Sequence, residues 1–72
     1  MSTQFTGHFP DGAERPVAIR YYGGDARGVV FEFFCSPSEL EFCTLTISDE
    51  PVTRARLFEA MREFPETEVV WP

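Results

Sequence analysis

A chain of 72 residues has room for one small domain, which excludes a multi-domain enzyme with separate substrate and cofactor units. Hydrophobic residues make up 43% and aromatics 15%, too apolar a mixture for a disordered tail. Twelve Asp and Glu oppose six Arg, with no Lys, and the resulting charge of −6 repels nucleic acid and anionic membrane as direct partners.

Residues 3 to 9 alternate apolar with small or polar side chains through Phe5 and Phe9, and predict a first strand closed by a Pro10-Asp11-Gly12 turn. Poor order concentrates at termini, so residues 1 to 9 are its candidate location. A second strand runs from Val17 to Tyr22, and Gly23 to Gly28 breaks it as a hairpin loop. Val29 to Cys35 is a third strand, Ser36-Pro37-Ser38 a further break, and Leu40 to Ile47 a fourth strand rich in β-formers. The period then changes. Leu57, Met61 and Phe64 recur at helical spacing, which predicts a helix over 51–64 with Ser48 to Glu50 around its start and Pro65 as its stop. Thr67 to Trp71 is a last short strand. The fold class read from this order is α+β: a mostly antiparallel meander of four or five strands, with one α-helix packed on one face.

Burial selects a register. With a loop of Gly23 to Arg27, Val17, Ile19, Tyr21, Val29, Phe31, Phe33 and Cys35 share the face that the helix covers, and one more loop residue would mix Arg20 into that set. The opposite face then carries Arg20, Tyr22, Val30, Glu32, Phe34, Glu41, Cys43 and Leu45. A face this apolar needs a cover, either one of the termini or another molecule.

Signatures of chemistry are sparse. The one His, His8, could serve as base to Cys35 or Cys43, but two cysteines in strands read more simply as small core side chains. The same register puts their sulfurs on opposite faces, which predicts free thiols, and two cysteines are too few for a disulfide-stapled secreted scaffold. No paired C-x₂-C spacing suggests zinc, and the glycine loop leads into a strand rather than the helix a phosphate site requires. Neither a hydrophobic leader nor an apolar run of membrane-spanning length stands out, so the expected location is cytoplasmic. No catalytic residue, metal ligand or cofactor is expected.

Acidity is the remaining signal. Residues 1–36 balance at −1 and residues 37–72 at −5. Glu59, Glu63 and Glu66 are spaced for the outer side of the helix, with Arg62 placed to pair with Glu59 and Glu66. Glu39, Glu41, Asp49 and Glu50 precede them, and Glu32 lies on the neighbouring strand. With Tyr22 and Phe34 as aromatic anchors, these acids form the expected contact set for a protein partner with a basic surface. In size and charge alone, the chain resembles small phage and mobile-element inhibitors such as anti-CRISPR proteins and DNA mimics. That resemblance implies a non-enzymatic inhibitor occupying a nucleic-acid-binding surface of a partner enzyme. The alternative is an assembly module that homodimerises through its mixed sheet face, with acidity serving solubility.

Overall fold

The computed structural model describes residues 2–22, 28–64 and 66–72. Gly23 to Arg27, where the hairpin loop is expected, and Pro65, the expected helix stop, lie outside the described residues. The elements are β1 (Ser2–His8), β2 (Glu14–Tyr22), β3 (Val29–Phe33), α1 (Pro37–Leu40), β4 (Thr44–Ile47), β5 (Glu50–Val52), α2 (Arg54–Arg62) and β6 (Thr67–Val70). The six strands form one sheet in the order β5-β4-β1-β2-β3-β6. The α+β class stands and most pairings are antiparallel, but the sheet has six strands and is mixed rather than a meander of four or five, because β6 returns parallel to β3. A second, short helix is also present.

The N-terminal strand lies inside the sheet, antiparallel to β2 on one side and to β4 on the other. Phe5 is 0% exposed and packs its ring 5.7 Å from Phe31, which in turn lies 5.2 Å from Phe33. The turn after β1 closes with Gly12 at φ +91, the Gly12 N–H donating to the Phe9 carbonyl and the Asp11 carboxylate accepting from the Ala13 N–H.

Two departures from expectation have a common cause in register. Phe5 opposes Ala18 while Thr6 opposes Pro16, so Val17 is an extra residue in β2. This bulge lets two consecutive side chains, Val17 and Ala18, both enter the core. The β2–β3 hairpin is also one residue longer than burial suggested: Tyr22 opposes Val29, Arg20 opposes Phe31 and Ala18 opposes Phe33. Arg20 therefore lies on the helix-covered face. Its charge is paired there, because its guanidinium reaches the Glu63 carboxylate and lies 5.4 Å from the centre of the Phe64 ring.

The expected break at Ser36 to Ser38 opens into α1, and the expected fourth strand over Leu40 to Ile47 is strand only from Thr44. Ser36 caps α1, accepting from the Glu39 N–H at 3.2 Å, while the Glu39 carboxylate accepts from the Ser36 N–H at 3.1 Å. Leu40, Cys35 and Cys43 are consequently buried together in the core cluster, not distributed over two faces. The expected helix over 51–64 also starts late. Ser48 and Asp49 take φ +50 and +67 between the paired residues Ile47 and Glu50, forming a two-residue hairpin turn that places Pro51 in β5. Thr53 then caps α2, accepting from the Arg56 N–H at 3.1 Å. Leu57 and Ala60 supply its buried face, and Met61 packs beside them.

Arg54 joins these segments. Its guanidinium donates to the carbonyl oxygens of Leu40, Glu41 and Cys43, satisfying the chain as it leaves α1.

Among the described residues, only one side of the sheet is covered. Both helices give their buried residues to one cluster. The described residues of the opposite face, from Gln4, Thr6 and His8 through Ile19, Tyr21, Val30 and Glu32 to Glu68 and Val70, all remain at least partly exposed. The termini extend the sheet instead of folding over that face. No helix among the described residues is long and apolar enough to cross a membrane.

Gly28 sets how closely β6 approaches β3. A Cβ at this position would collide with the carbonyl oxygen of Glu66, which accepts a hydrogen bond from the Val29 N–H at 3.1 Å. Gly28→Ala is therefore expected to destabilise the fold by about 1–3 kcal/mol, read as a lowered urea midpoint, and to speed hydrogen exchange at the Val29 amide.

Candidate functional site

The ten residues expected to contact a partner fall into separate groups. Tyr22, Glu59, Glu63 and Glu66 lie toward β6 and the end of α2. Glu39 and Glu41 flank the C-terminal part of α1, Asp49 and Glu50 make the β4–β5 turn, and Glu32 and Phe34 follow the open side of β3. The strands carrying the turn acids and those beside β6 stand at opposite edges of a six-stranded sheet, about 24 Å apart at a usual strand spacing.

Several of these acids are committed within the fold. Glu63 binds both Arg20 and Arg56, the latter at 2.9 Å, and the bond from Arg20 is the chief cause that holds its carboxyl below the usual range. Arg62, expected to pair with Glu59 and Glu66, forms no ion pair among the described residues. Glu39 is held low first by the Ser36 backbone N–H and hydroxyl, then by Arg15 at 2.7 Å. Glu32 accepts from the Tyr21 hydroxyl at 2.9 Å, which in turn raises the Tyr21 pKa. Glu41, Asp49, Glu50, Glu59 and Glu66 are exposed and make no side-chain ion pair among the described residues. Glu68, outside the expected contact set, is exposed in β6 itself.

Phe42, just after α1, is the most exposed large apolar side chain at 69%, but several others gather beside β6. Tyr22, 62% exposed, meets Phe64 edge to face at 6.3 Å. Trp71 lies flat on Phe33, with ring centres 3.8 Å apart and 8° between planes, and still exposes 40% of its surface. Val69, opposite Phe31 in the parallel ladder, is 38% exposed, and Phe58 projects from α2, which packs along β6. A smaller patch on the open face surrounds Phe34, where Arg15, Pro16 and Ile19 line a shallow depression.

The groups suited to covalent chemistry are kept apart. Both cysteines are free and buried, and burial pushes each thiol up, away from the reactive thiolate. His8 faces the open side of the sheet, away from both sulfurs. There its Nε2 lies 2.9 Å from Thr46 Oγ1, and its Nδ1 3.7 Å from Glu14 Oε2. The second separation is too long for the hydrogen bond that would orient a catalytic imidazole. Among the described residues, no group of three His, Cys, Asp or Glu side chains is placed to hold a metal ion.

Comparisons with family models, with curated proteins and with solved structures give no match to this chain.

The depressed Glu39 and Glu63 carboxyls define an acid-sensitive stability. Each has a folded-state value below its unfolded one, so its stabilisation is present above the ordinary Glu range and is lost as pH falls through the folded value. Urea midpoints measured from pH 6 to pH 3 should decline on the acid side, and Glu63→Gln should make that decline shallower while lowering the midpoint at pH 6.

Proposed function

We propose that this chain is a non-enzymatic protein-binding module that presents an acidic, aromatic surface to the basic surface of a partner protein, as a small inhibitor of a nucleic-acid-binding enzyme would. The observation that carries the reading is the surface beside β6. Tyr22, Phe58, Val69 and Trp71 expose apolar area there, Glu59 and Glu66 are exposed nearby and Glu68 lies on the open side of the same strand, none of the three acids being ion-paired among the described residues. Exposed aromatic anchors beside acids favour a partner of opposite charge, and the net negative field speeds the encounter. The charge that repels nucleic acid attracts the groove that binds it. The burial of both thiols and the loose His8 geometry weigh against a catalytic role.

The patch around Phe34, 44% exposed beside Pro16 and Ile19, favours a second reading in which two copies meet through their open faces. That arrangement would bring Glu14, Glu32 and Glu68 of each copy together, a like-charge cost that the basic-partner reading avoids.

Affinity capture from the source cells, followed by titration of the recovered partner, tests the proposal. The partner should be basic, binding should weaken by at least about tenfold between 0.05 and 0.5 M salt, and Glu66→Lys with Glu68→Lys should weaken it further. Salt-independent binding would overturn the reading. A concentration-dependent dimer abolished by Phe34→Glu would support the homodimer instead.

A further inference from the structure

We propose that β6 is a docking edge that takes an extended, basic segment of the partner as a seventh strand. The inference rests on the basic-partner reading and specifies how the partner binds. Six strands leave two edges, at β5 and at β6. The β5 edge is only three residues long and carries Pro51, which has no N–H to offer a further strand. The β6 edge, Thr67–Val70, has neither a proline nor a bulge.

The hydrogen-bond phase of β6 follows from its pairing. Val29 lies opposite Thr67 in a parallel ladder, and the Val29 N–H donates to the Glu66 carbonyl. Peptide groups on alternate residues face alternate sides, so Glu66, Glu68 and Val70 address β3 while Thr67 and Val69 turn their N–H and C=O groups outward. These outward groups are the donors and acceptors that an added strand uses.

The surroundings select the chemistry of that strand. Glu66 and Glu68 bracket the edge, and Val69 and Trp71 expose apolar surface on its helix side. Trp71 stacks on Phe33 through one face of its indole and remains partly exposed, which suits an apolar side chain laid against the ring on that side, while a basic side chain on the other side meets Glu68. Alternating apolar and basic side chains satisfy both features. A second copy of this chain would instead set its own Glu66 and Glu68 against the same two acids, so the charge favours a basic partner over β6–β6 pairing.

A blocked octapeptide of alternating Lys and Val tests this with the full-length chain. Its addition should shift the amide resonances of Thr67 to Trp71 and slow hydrogen exchange at the Thr67 and Val69 amides by about tenfold or more. A copy of the peptide N-methylated on the residues that would bond β6 should bind at least about tenfold more weakly, with no change to the protein. Val69→Pro, which deletes an outward N–H and spares those facing β3, should have the same effect while circular dichroism stays unchanged. Unchanged protection at Thr67 and Val69, or shifts centred on Phe34 or Asp49, would overturn strand addition. So would protection that rises with protein concentration alone, because β6 would then be pairing with a second copy. If binding of the captured partner depends on salt and on Glu66 and Glu68 but not on Val69→Pro, strand addition fails and the basic-partner reading stands. If it depends on none of them, both fail.

Discussion

The fold depends on β1 lying between β2 and β4. Without it, β4 and β5 would be separated from β2, β3 and β6, since no other strand bridges the two sets. Phe5 is the side chain that makes this placement favourable, fully buried at the centre of the sheet and packed against Phe31. Gly7 permits the closeness on the far side of Phe5, where a Cβ would press into Val17 and stand 3.3 Å from the Cys43 sulfur. A chain of this length buries too little surface to tolerate a loosely held terminus in its core. The N-terminal residues are therefore structural, and one helix layer is enough because all the large buried side chains point to one side.

All the strands but β5, and the main helix, are legible because their periodicity is strong. Val29 to Phe33, the caps and breaks around them, and the stripe of Leu57 and Met61 all follow elementary patterning. Register was not legible, because charge was treated as incompatible with the covered face. Arg20 is long enough to lie over that face and end on a carboxylate, and the Val17 bulge breaks the strict alternation on which the inference relied. Two local signals were available but misread. Ser36-Pro37-Ser38-Glu39 is a capping box with proline at the first helical turn, yet the β-rich residues after it led to a strand. Ser48 and Asp49 looked like a helix start, and only their positive φ values reveal a hairpin.

The contact surface was partly legible for a related reason. Counting acids locates charge along the chain but not its pairing, and pairing depends on neighbours distant in sequence. Arg15 meets Glu39 and Arg20 meets Glu63 only because β2 runs beside both helices. These internal pairs leave a smaller set of acids without an ion pair among the described residues, and Glu68, on the edge strand β6, belongs to it. Tyr22, taken for a residue of the open face, instead leans on Phe64 near the helix end.

The flat stack of Trp71 on Phe33 also bears on how the molecule assembles. Trp71 is the chain's one tryptophan, and it follows the strand whose partner, β3, is separated from it by α1, β4, β5 and α2. Contacts this remote in sequence carry the largest loop-closure cost and form late if nucleation is local. Indole emission thus reports the seating of β6 alone, whereas far-ultraviolet dichroism follows the helices and the sheet as a whole. The protein carries its own optical reporter of the contact between β3 and the chain's last residues.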